Sequence, residues 1–318
     1  MEQYAIGIDV GGTKTAYGLF DSGKTLLSKR RHQSDKNSSP EAFFDEIVRN
    51  VNEILSENNL TVTSLRGIGI GMPSYINFEE GHIVKTSNLT NIRDFAAKEY
   101  LHARLGRDVR IIIDNDAHTA AIAEHKYGAG RGFDNMLYCP VSTGISSGII
   151  IDGKLFRGRY GWAGESGHMI ITPGQGIECG CGNRGCLMSW CSGGMITRHI
   201  QRWIDNGEDT LMLSLAGTAD QITTVQLNQA WEMNDPMARK ALEQMAQYMA
   251  VWLYNLYVLL NINCYVFGGG LVEMGDKLFW RIRELFDAYN QNDQPVYFRF
   301  AELNQDYGII GATELLFS

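Results

Sequence analysis

The chain has 318 residues, 44% of them hydrophobic and 20% charged, with a formal net charge of −8. That length sets an expectation of about two domains, and the composition supplies enough apolar side chains for a sizeable core. The acidic balance argues against a nucleic-acid surface, and the longest apolar stretch, 249–267, is interrupted by Asn255, Asn261 and Asn263, so it reads as a buried helix entering a strand and not as a membrane span.

In chain order, residues 4–10 alternate as a strand, Gly11-Gly12 form a turn, and 15–20 read as a second strand ending at Asp21-Ser22-Gly23. Pro40 opens a helix over 40–57, in which Phe43, Phe44, Ile47, Val48, Val51 and Ile54 recur at helical spacing. A strand is predicted at 66–71, a helix near 94–105, a strand at 109–113 and a helix from about 116 to 127, an alternation that marks the α/β class. The segment 136–154 then repeats the opening order of strand, polar glycine bend, strand and Asp-Gly-Lys turn, which reads as an internal duplication. The second half is mostly helical through 261, with one long pattern from Pro236 to Leu260, and a strand at 264–267 runs into Gly268-Gly269-Gly270. No linker of Ser and Pro divides the chain, so lobes must form by the chain crossing between compact parts.

Chemistry concentrates in a few places. At Asp9-Val10-Gly11-Gly12-Thr13-Lys14 the glycines allow an anion close to the backbone, Thr13 offers a hydroxyl, and Asp9 at a strand end can hold a hydrated cation. That set suits a nucleotide phosphate with Mg2+, although a hairpin alone also uses glycines. The bend Ser142-Thr143-Gly144 offers a second hydroxyl-and-glycine turn for the same polyphosphate. Asn115-Asp116 follow a strand at its carboxyl end, where ligands bind in open α/β sheets. Asp116 there is either a proton acceptor or a helix cap, and Asp114 competes for both roles. Gly268-Gly269-Gly270 form a helix entry or a bare surface for a base or ribose.

His168, Cys179, Cys181 and Cys186 form the donor set of a closed tetrahedral Zn2+ site, with only Gly, Asn and Arg between the sulfurs. Six cysteines in all, and no apolar stretch following a basic start, give the expectation of a reducing cytosol, where clustered thiols mean metal before disulfide. Cys139 and Cys264 read as packing residues, and Cys191 as packing or a rival ligand. With four protein ligands the metal has no open position, so it orders a loop that carries Glu165 and His168.

Taken together, Asp9-Val10-Gly11-Gly12-Thr13-Lys14, Asn115-Asp116-Ala117, Glu165-x-Gly167-His168, Cys179-x-Cys181-Gly182-Asn183-x-Gly185-Cys186-Leu187, Gly268-Gly269-Gly270 and Gly311-Ala312 resemble the ROK family of sugar kinases and sugar-responsive repressors. The resemblance implies a two-lobed α/β fold of the actin-like and hexokinase-like ATPase type, with ATP and Mg2+ in a central cleft and a small zinc-binding loop. On that pattern residues 1–115 form a smaller lobe, joined by a C-terminal helix at 303–318, and 116–302 a larger one with the zinc module at 165–188. The resemblance further implies Asp116 as the base, with Asn88, Asn115, Glu165 and His168 holding the sugar. Asp9, Gly11, Gly12, Thr13, Lys14, Thr143, Gly144 and Gly268 to Gly270 would then serve the nucleotide. The expected activity is ATP-dependent phosphorylation of a hexose, at the 6-position of an aldohexose such as glucose or allose. A non-catalytic sugar-sensing regulator and an N-acetylmannosamine or N-acetylglucosamine kinase are the alternatives. Repressors of the family carry a DNA-binding helix pair before the first strand, and this chain begins that strand at Tyr4, so a free-standing cytoplasmic kinase without nucleic-acid partners is expected. Family habit adds a homodimer. Two departures stand out: the second bend is poorer in glycine than is usual, and Met188 stands where the family has a sugar-contacting glutamate.

Overall fold

A computed structural model describes residues 3–303 and 306–317. Its elements begin with β1 (Tyr4–Val10), β2 (Lys14–Phe20), β3 (Leu26–Gln33), α1 (Pro40–Glu57), β4 (Leu65–Met72), β5 (Ser74–Asn77), β6 (His82–Thr86), β7 (Arg93–Phe95), α2 (Ala97–Leu105), β8 (Arg110–Asn115) and α3 (Asp116–Tyr127). They continue with β9 (Met136–Pro140), β10 (Gly148–Ile151), β11 (Lys154–Leu155), α4 (Met188–Cys191), α5 (Gly193–Asp205), α6 (Leu211–Ala216), α7 (Thr224–Glu232) and α8 (Pro236–Leu260). The last are β12 (Cys264–Gly268), α9 (Asp276–Tyr289), β13 (Tyr297–Phe300) and α10 (Tyr307–Glu314). Residues 304, 305 and 318 of the expected C-terminal segment lie outside the described residues. Among the described residues no helix is long and apolar enough to cross a membrane.

The chain divides into two compact units: Met1–Asp134 with Gly148–Gly164 and Ala301–Ser318, and Asn135–Ser147 with Glu165–Phe300. This moves the boundary expected at 115/116. Glu124 on α3, fully buried, accepts main-chain N–H groups from Ala129 at 2.9 Å, Leu303 at 2.9 Å and Glu302 at 3.2 Å, which fastens α3 to the C-terminal segment in the first unit. The two strands of the predicted second hairpin likewise fall in different units, β9 in the second and β10 in the first.

In the first unit one sheet runs β3-β2-β1-β4-β8, antiparallel across β1, β2 and β3 and parallel from β1 through β4 to β8. Side chains alternate across a strand, and β4 alternates Gly67, Ile68, Gly69, Ile70, Gly71. Ile68 and Ile70 join Ile6 and Ile8 of β1 in the core beneath Phe44 and Ile47 of α1 and Leu101 of α2. The glycines serve the other face. A Cβ on Gly69 would lie 1.8 Å from the Ala312 carbonyl oxygen, and one on Gly71 2.6 Å from Thr119 Oγ1, so α10 and α3 rest directly on the strand. Helix α1 starts as expected: Ser39 Oγ accepts the Ala42 N–H at 3.2 Å and Pro40 follows the cap. In the second unit β12 pairs in parallel with both β9 and β13. The long helix α8 spans the predicted residues, capped by Asp235 and ending at Asn261 in the left-handed region.

Candidate active site

The first unit holds eight of the predicted residues: Asp9 lies near the end of β1, Gly11, Gly12, Thr13 and Lys14 at the bend that follows, Asn88 in the loop after β6, and Asn115 and Asp116 at the end of β8. The bend after β1 is closed by Gly11 N–H donating to the Lys14 carbonyl at 2.9 Å, and is tied to the end of β3 by Ser34, whose hydroxyl donates to the Gly11 carbonyl at 3.1 Å. A Cβ on Gly12 would lie 3.1 Å from that of Asn88, so the bend and the Asn88 loop are packed together. Thr13, Lys14 and Asn88 are exposed.

Asp9 is half-buried at the end of β1. Burial, and next the charge of Asp116, push its carboxyl up to about 7 against the opposing pull of Lys14 and Arg31. A Cβ on Gly308 of α10 would lie 2.2 Å from the Asp9 carboxyl carbon, so only glycine fits beneath this acid. The phenol of Tyr307 is pushed up to about 12 by burial and by both Asp9 and Asp116. Gly308 and Tyr307 were absent from the sequence reading; the glycine inside Tyr307-Gly308-Ile309-Ile310-Gly311 was the available signal.

A raised folded-state value means the native state holds its proton where the unfolded chain, at 3.8, has lost it, so Asp9 subtracts stability as pH rises from about 4 to about 7. In magnesium-free buffer Asp9→Asn is therefore expected to raise stability relative to the wild type by about 1–3 kcal/mol at pH 8, with a much smaller gain at pH 5. Urea unfolding at the two pH values measures this; a difference between the proteins that is independent of pH contradicts it.

The rivalry among Asp114, Asn115 and Asp116 is resolved by hydrogen bonding. Asn115 is the cap of α3, its Oδ1 accepting the Ala117 N–H at 2.8 Å while its Nδ2 donates to the Ser74 carbonyl at 3.2 Å. Asp114 is buried with both oxygens engaged: Oδ1 lies 2.8 Å from His118 Nδ1 and accepts the Asn115 N–H, and Oδ2 accepts from Arg157 Nε at 2.8 Å. The other His118 nitrogen lies 2.9 Å from the Ala163 carbonyl oxygen, so both ring nitrogens face acceptors, an arrangement that favours the imidazolium. Burial opposes the charge on each partner, but Asp114 raises His118, and His118 with Arg157 holds Asp114 below the usual carboxylate range. Asp116 differs. It is half-buried, burial raises its carboxyl, and its carboxylate accepts only main-chain N–H groups, that of Ala117 at 2.9 Å on Oδ1 and its own, so among the described residues no side chain is hydrogen-bonded to it.

In the second unit the hydroxyl bend and the triple glycine meet. Val141 donates its N–H to the Gly268 carbonyl at 2.8 Å and accepts from Leu271 N–H at 3.0 Å. Gly269 has φ +84, and a Cβ there would lie 2.6 Å from the Val141 carbonyl oxygen. On its other flank the Ser142 carbonyl accepts the Gly193 N–H at 2.7 Å, and a Cβ on Gly194 would touch Thr143 Cγ2 at 3.0 Å. Ser142 and Thr143 are left exposed. The pair Gly193-Gly194 belongs to this setting and was not read from the sequence, although glycines opening a helix were visible.

The Cys/His segment is attached to the same bend. Ser147 and Ser166 share a buried hydroxyl contact of 2.6 Å, and a Cβ on Gly167 would lie 2.1 Å from the Ile145 carbonyl oxygen. The ligand atoms of His168, Cys179, Cys181 and Cys186 all lie within 4.8 Å of one another. Cys181 Sγ to Cys186 Sγ is 3.6 Å and Cys179 Sγ to His168 Nδ1 is 3.4 Å. Tetrahedral zinc with sulfur at 2.3 Å and nitrogen near 2.0 Å requires edges of about 3.5–3.8 Å, which these two contacts approximate, so the donor types and their spacing suit that ion. Asn183 Nδ2 faces Cys181 Sγ at 3.6 Å, and His168 Nε2 faces Glu165 Oε2 at 3.9 Å. Cys191 stands outside the set: its thiol donates to the Leu187 carbonyl at 3.4 Å and burial raises its pKa. Cys139 and Cys264 are buried packing residues, as expected. Met188 opens α4 with its methyl 3.5 Å from where a Gly144 Cβ would stand, so it covers the hydroxyl bend.

With this geometry in view, the similarities are informative. The ROK family matches residues 5–318. A glucokinase of Streptomyces coelicolor is 31% identical over 316 residues, which is 98% of this chain and 96% of that protein. A ROK hexokinase from Thermus thermophilus superposes with a TM-score of 0.83 at 30% identity, covering 98% of this chain and 97% of the other. A ROK family glucokinase from Streptomyces griseus, solved in complex with glucose and AMPPNP, gives 0.79 at 28% identity, with 98% of both chains covered.

Proposed function

Because the chain belongs to the ROK family, we propose that it transfers the γ-phosphoryl group of ATP to a hexose, at the 6-hydroxyl of an aldohexose such as glucose or allose. The observation that carries this reading is the contrast between two neighbouring acids: Asp114 is held by side chains on both oxygens, while Asp116 meets no other side chain in a hydrogen bond at the start of α3. An open carboxylate at the end of a parallel strand is a proton acceptor.

Asp116 Oδ2 accepts the proton of the sugar hydroxyl as that oxygen attacks the γ-phosphorus, the bond to the β-phosphate oxygen breaks, and ADP leaves. Such a transition state is loose, so orientation and charge neutralisation contribute more than proton removal. Asn88, Asn115, Glu165 and His168 orient the sugar. Asp9, Gly11, Gly12, Thr13, Lys14, Thr143, Gly144 and Gly268 to Gly270 serve the phosphates and the nucleoside. Mg2+, when bound, neutralises phosphate charge, and Asp9 is the carboxylate suited to its hydration shell. Zn2+ on His168, Cys179, Cys181 and Cys186 holds the turn that carries Glu165.

The test is turnover of Mg-ATP with a panel of aldohexoses and N-acetylhexosamines, followed as ADP release. Saturable turnover on an aldohexose is expected. Turnover on no sugar, together with sugar-dependent thermal stabilisation, points to the sugar-sensing reading and removes the kinase.

A further inference from the structure

A cavity of about 880 Å3 lies wholly within the first unit, along the outer edge of β8, and none of the residues assigned above to sugar or nucleotide lines it. Its size falls in the range of small-molecule sites, roughly 300–1,000 Å3. The floor is apolar, with Val109, Ile111, Ile122, Ile150 and Leu315 all buried. The rim inverts the sign of the protein: Lys98, Arg107, Arg110, Lys126, Lys154 and Arg157 line it against two acids, Glu79 and Asp108, in a chain of net charge −8.

Most of that positive charge is uncompensated. Lys126 pairs with Glu314 and Arg157 with Asp114. Lys98 and Arg110 donate only to the main-chain carbonyls of Glu79 and Leu316, and Arg107 and Lys154 have no partner among the described residues. Like charges gathered around a low-dielectric wall repel one another, and an anion relieves that repulsion. An inorganic anion would leave the apolar floor unused, whereas an uncharged apolar molecule would leave the cations unanswered.

We propose that this cavity is a second ligand site, which takes a small organic anion with an apolar body, its charged end held by Arg107 and Lys154 and its hydrocarbon on the Val109 to Leu315 floor. Arg157 gives the site a route to the active-site corner: its guanidinium lies 4.0 Å over the Phe78 ring inside the cavity, while its Nε holds Asp114, the residue before Asn115 and Asp116. An occupant that draws on Arg157 loosens that hold. This consequence for catalysis rests on the kinase reading, but the binding site does not.

Isothermal titration of the full chain with octanoate, inorganic sulfate and 1-hexanol separates the contributions. Octanoate is expected to bind saturably at one site per chain, at least tenfold more weakly to an R107E/K154E variant of unchanged melting temperature, with no saturable binding of sulfate or hexanol. Equal octanoate affinity in the variant, no saturation, or sulfate or hexanol binding as tightly as octanoate overturns the proposal. A melting temperature lowered by the double change is answered by R107Q/K154Q, which removes the two charges without reversing them and must also weaken octanoate binding. In the sugar assay, octanoate is expected to shift the sugar KM or kcat at least twofold in the wild type and in neither variant; octanoate that binds without that shift removes the Arg157 route. A chain without kinase activity still gives the binding result.

Discussion

Replacing Asp116 with Asn is expected to lower kcat by about 10²- to 10⁴-fold, the range a positioned general base supplies, while the sugar KM changes by no more than about threefold. The substitution keeps the side-chain volume and the Oδ1 contact with the Ala117 N–H, and removes only the ability of the second oxygen to take a proton. The wild type must have Asp116 ionised to work, and burial raises its pKa, so activity is expected to fall as pH falls, at a pH above the ordinary aspartate value of 3.8. Asp116→Asn is expected to show a smaller acid limb, with what remains belonging to Asp9. Asp114→Asn makes the control: it strips a buried partner from His118 and Arg157, so it is expected to cost about 3–5 kcal/mol of stability, without the selective loss of kcat at temperatures where it stays folded. Steady-state kinetics across pH, with urea melts of both variants, decide the matter. Wild-type kcat in Asp116→Asn, or an acid limb unchanged in it, would remove Asp116 from the role of base.

The second large effect concerns the metal. Purified protein is expected to hold about one zinc per chain by elemental analysis, and Cys181→Ser to hold almost none. Cys181 is the informative position because it is only half-buried, whereas Cys179 and Cys186 are buried and their substitution would disturb packing as well. Since ligand-to-metal binding energy in such sites is folding energy, loss of the ion is expected to lower the melting temperature by several degrees. It is also expected to raise the sugar KM at least tenfold, because Glu165 and His168 lie on the ordered turn. Chelation should reproduce both effects in the wild type, and added zinc should reverse them there but not in Cys181→Ser. Cys191→Ser is expected to retain the metal, its thiol being committed to the Leu187 carbonyl. Metal-free protein with an undiminished melting temperature would defeat the zinc reading.

Legibility in the sequence followed the range of the physics involved. Helix α1 was readable because its cap, its proline and its apolar spacing are local, and α8 because a long apolar pattern ends at an asparagine that can turn left-handed. The Cys/His cluster was readable because three of its four members lie within eight residues of one another, Cys179 to Cys186. The boundary between the units was not, because it depends on Glu124 capturing N–H groups from residues 302 and 303, far along the chain. Nor was Gly308, whose meaning arises only when α10 lies against Asp9. Met188, singled out as a sugar contact through the family pattern, has its methyl over the Gly144 bend.

By itself, then, the sequence determined the α/β class, the helices α1 and α8, the grouping of one histidine with three cysteines and the family, because each is written in neighbouring residues or in motif spacing; β3, β5 to β7, α9 and β13 were not read from it. Tertiary structure decided which acid beside Asn115 is open, since the answer depends on His118 and Arg157 closing on Asp114. It also decided that a chain of net negative charge carries a positively rimmed cavity. Charge counts sum over the whole chain, whereas fields and proton affinities are set by what folding brings within a few ångströms.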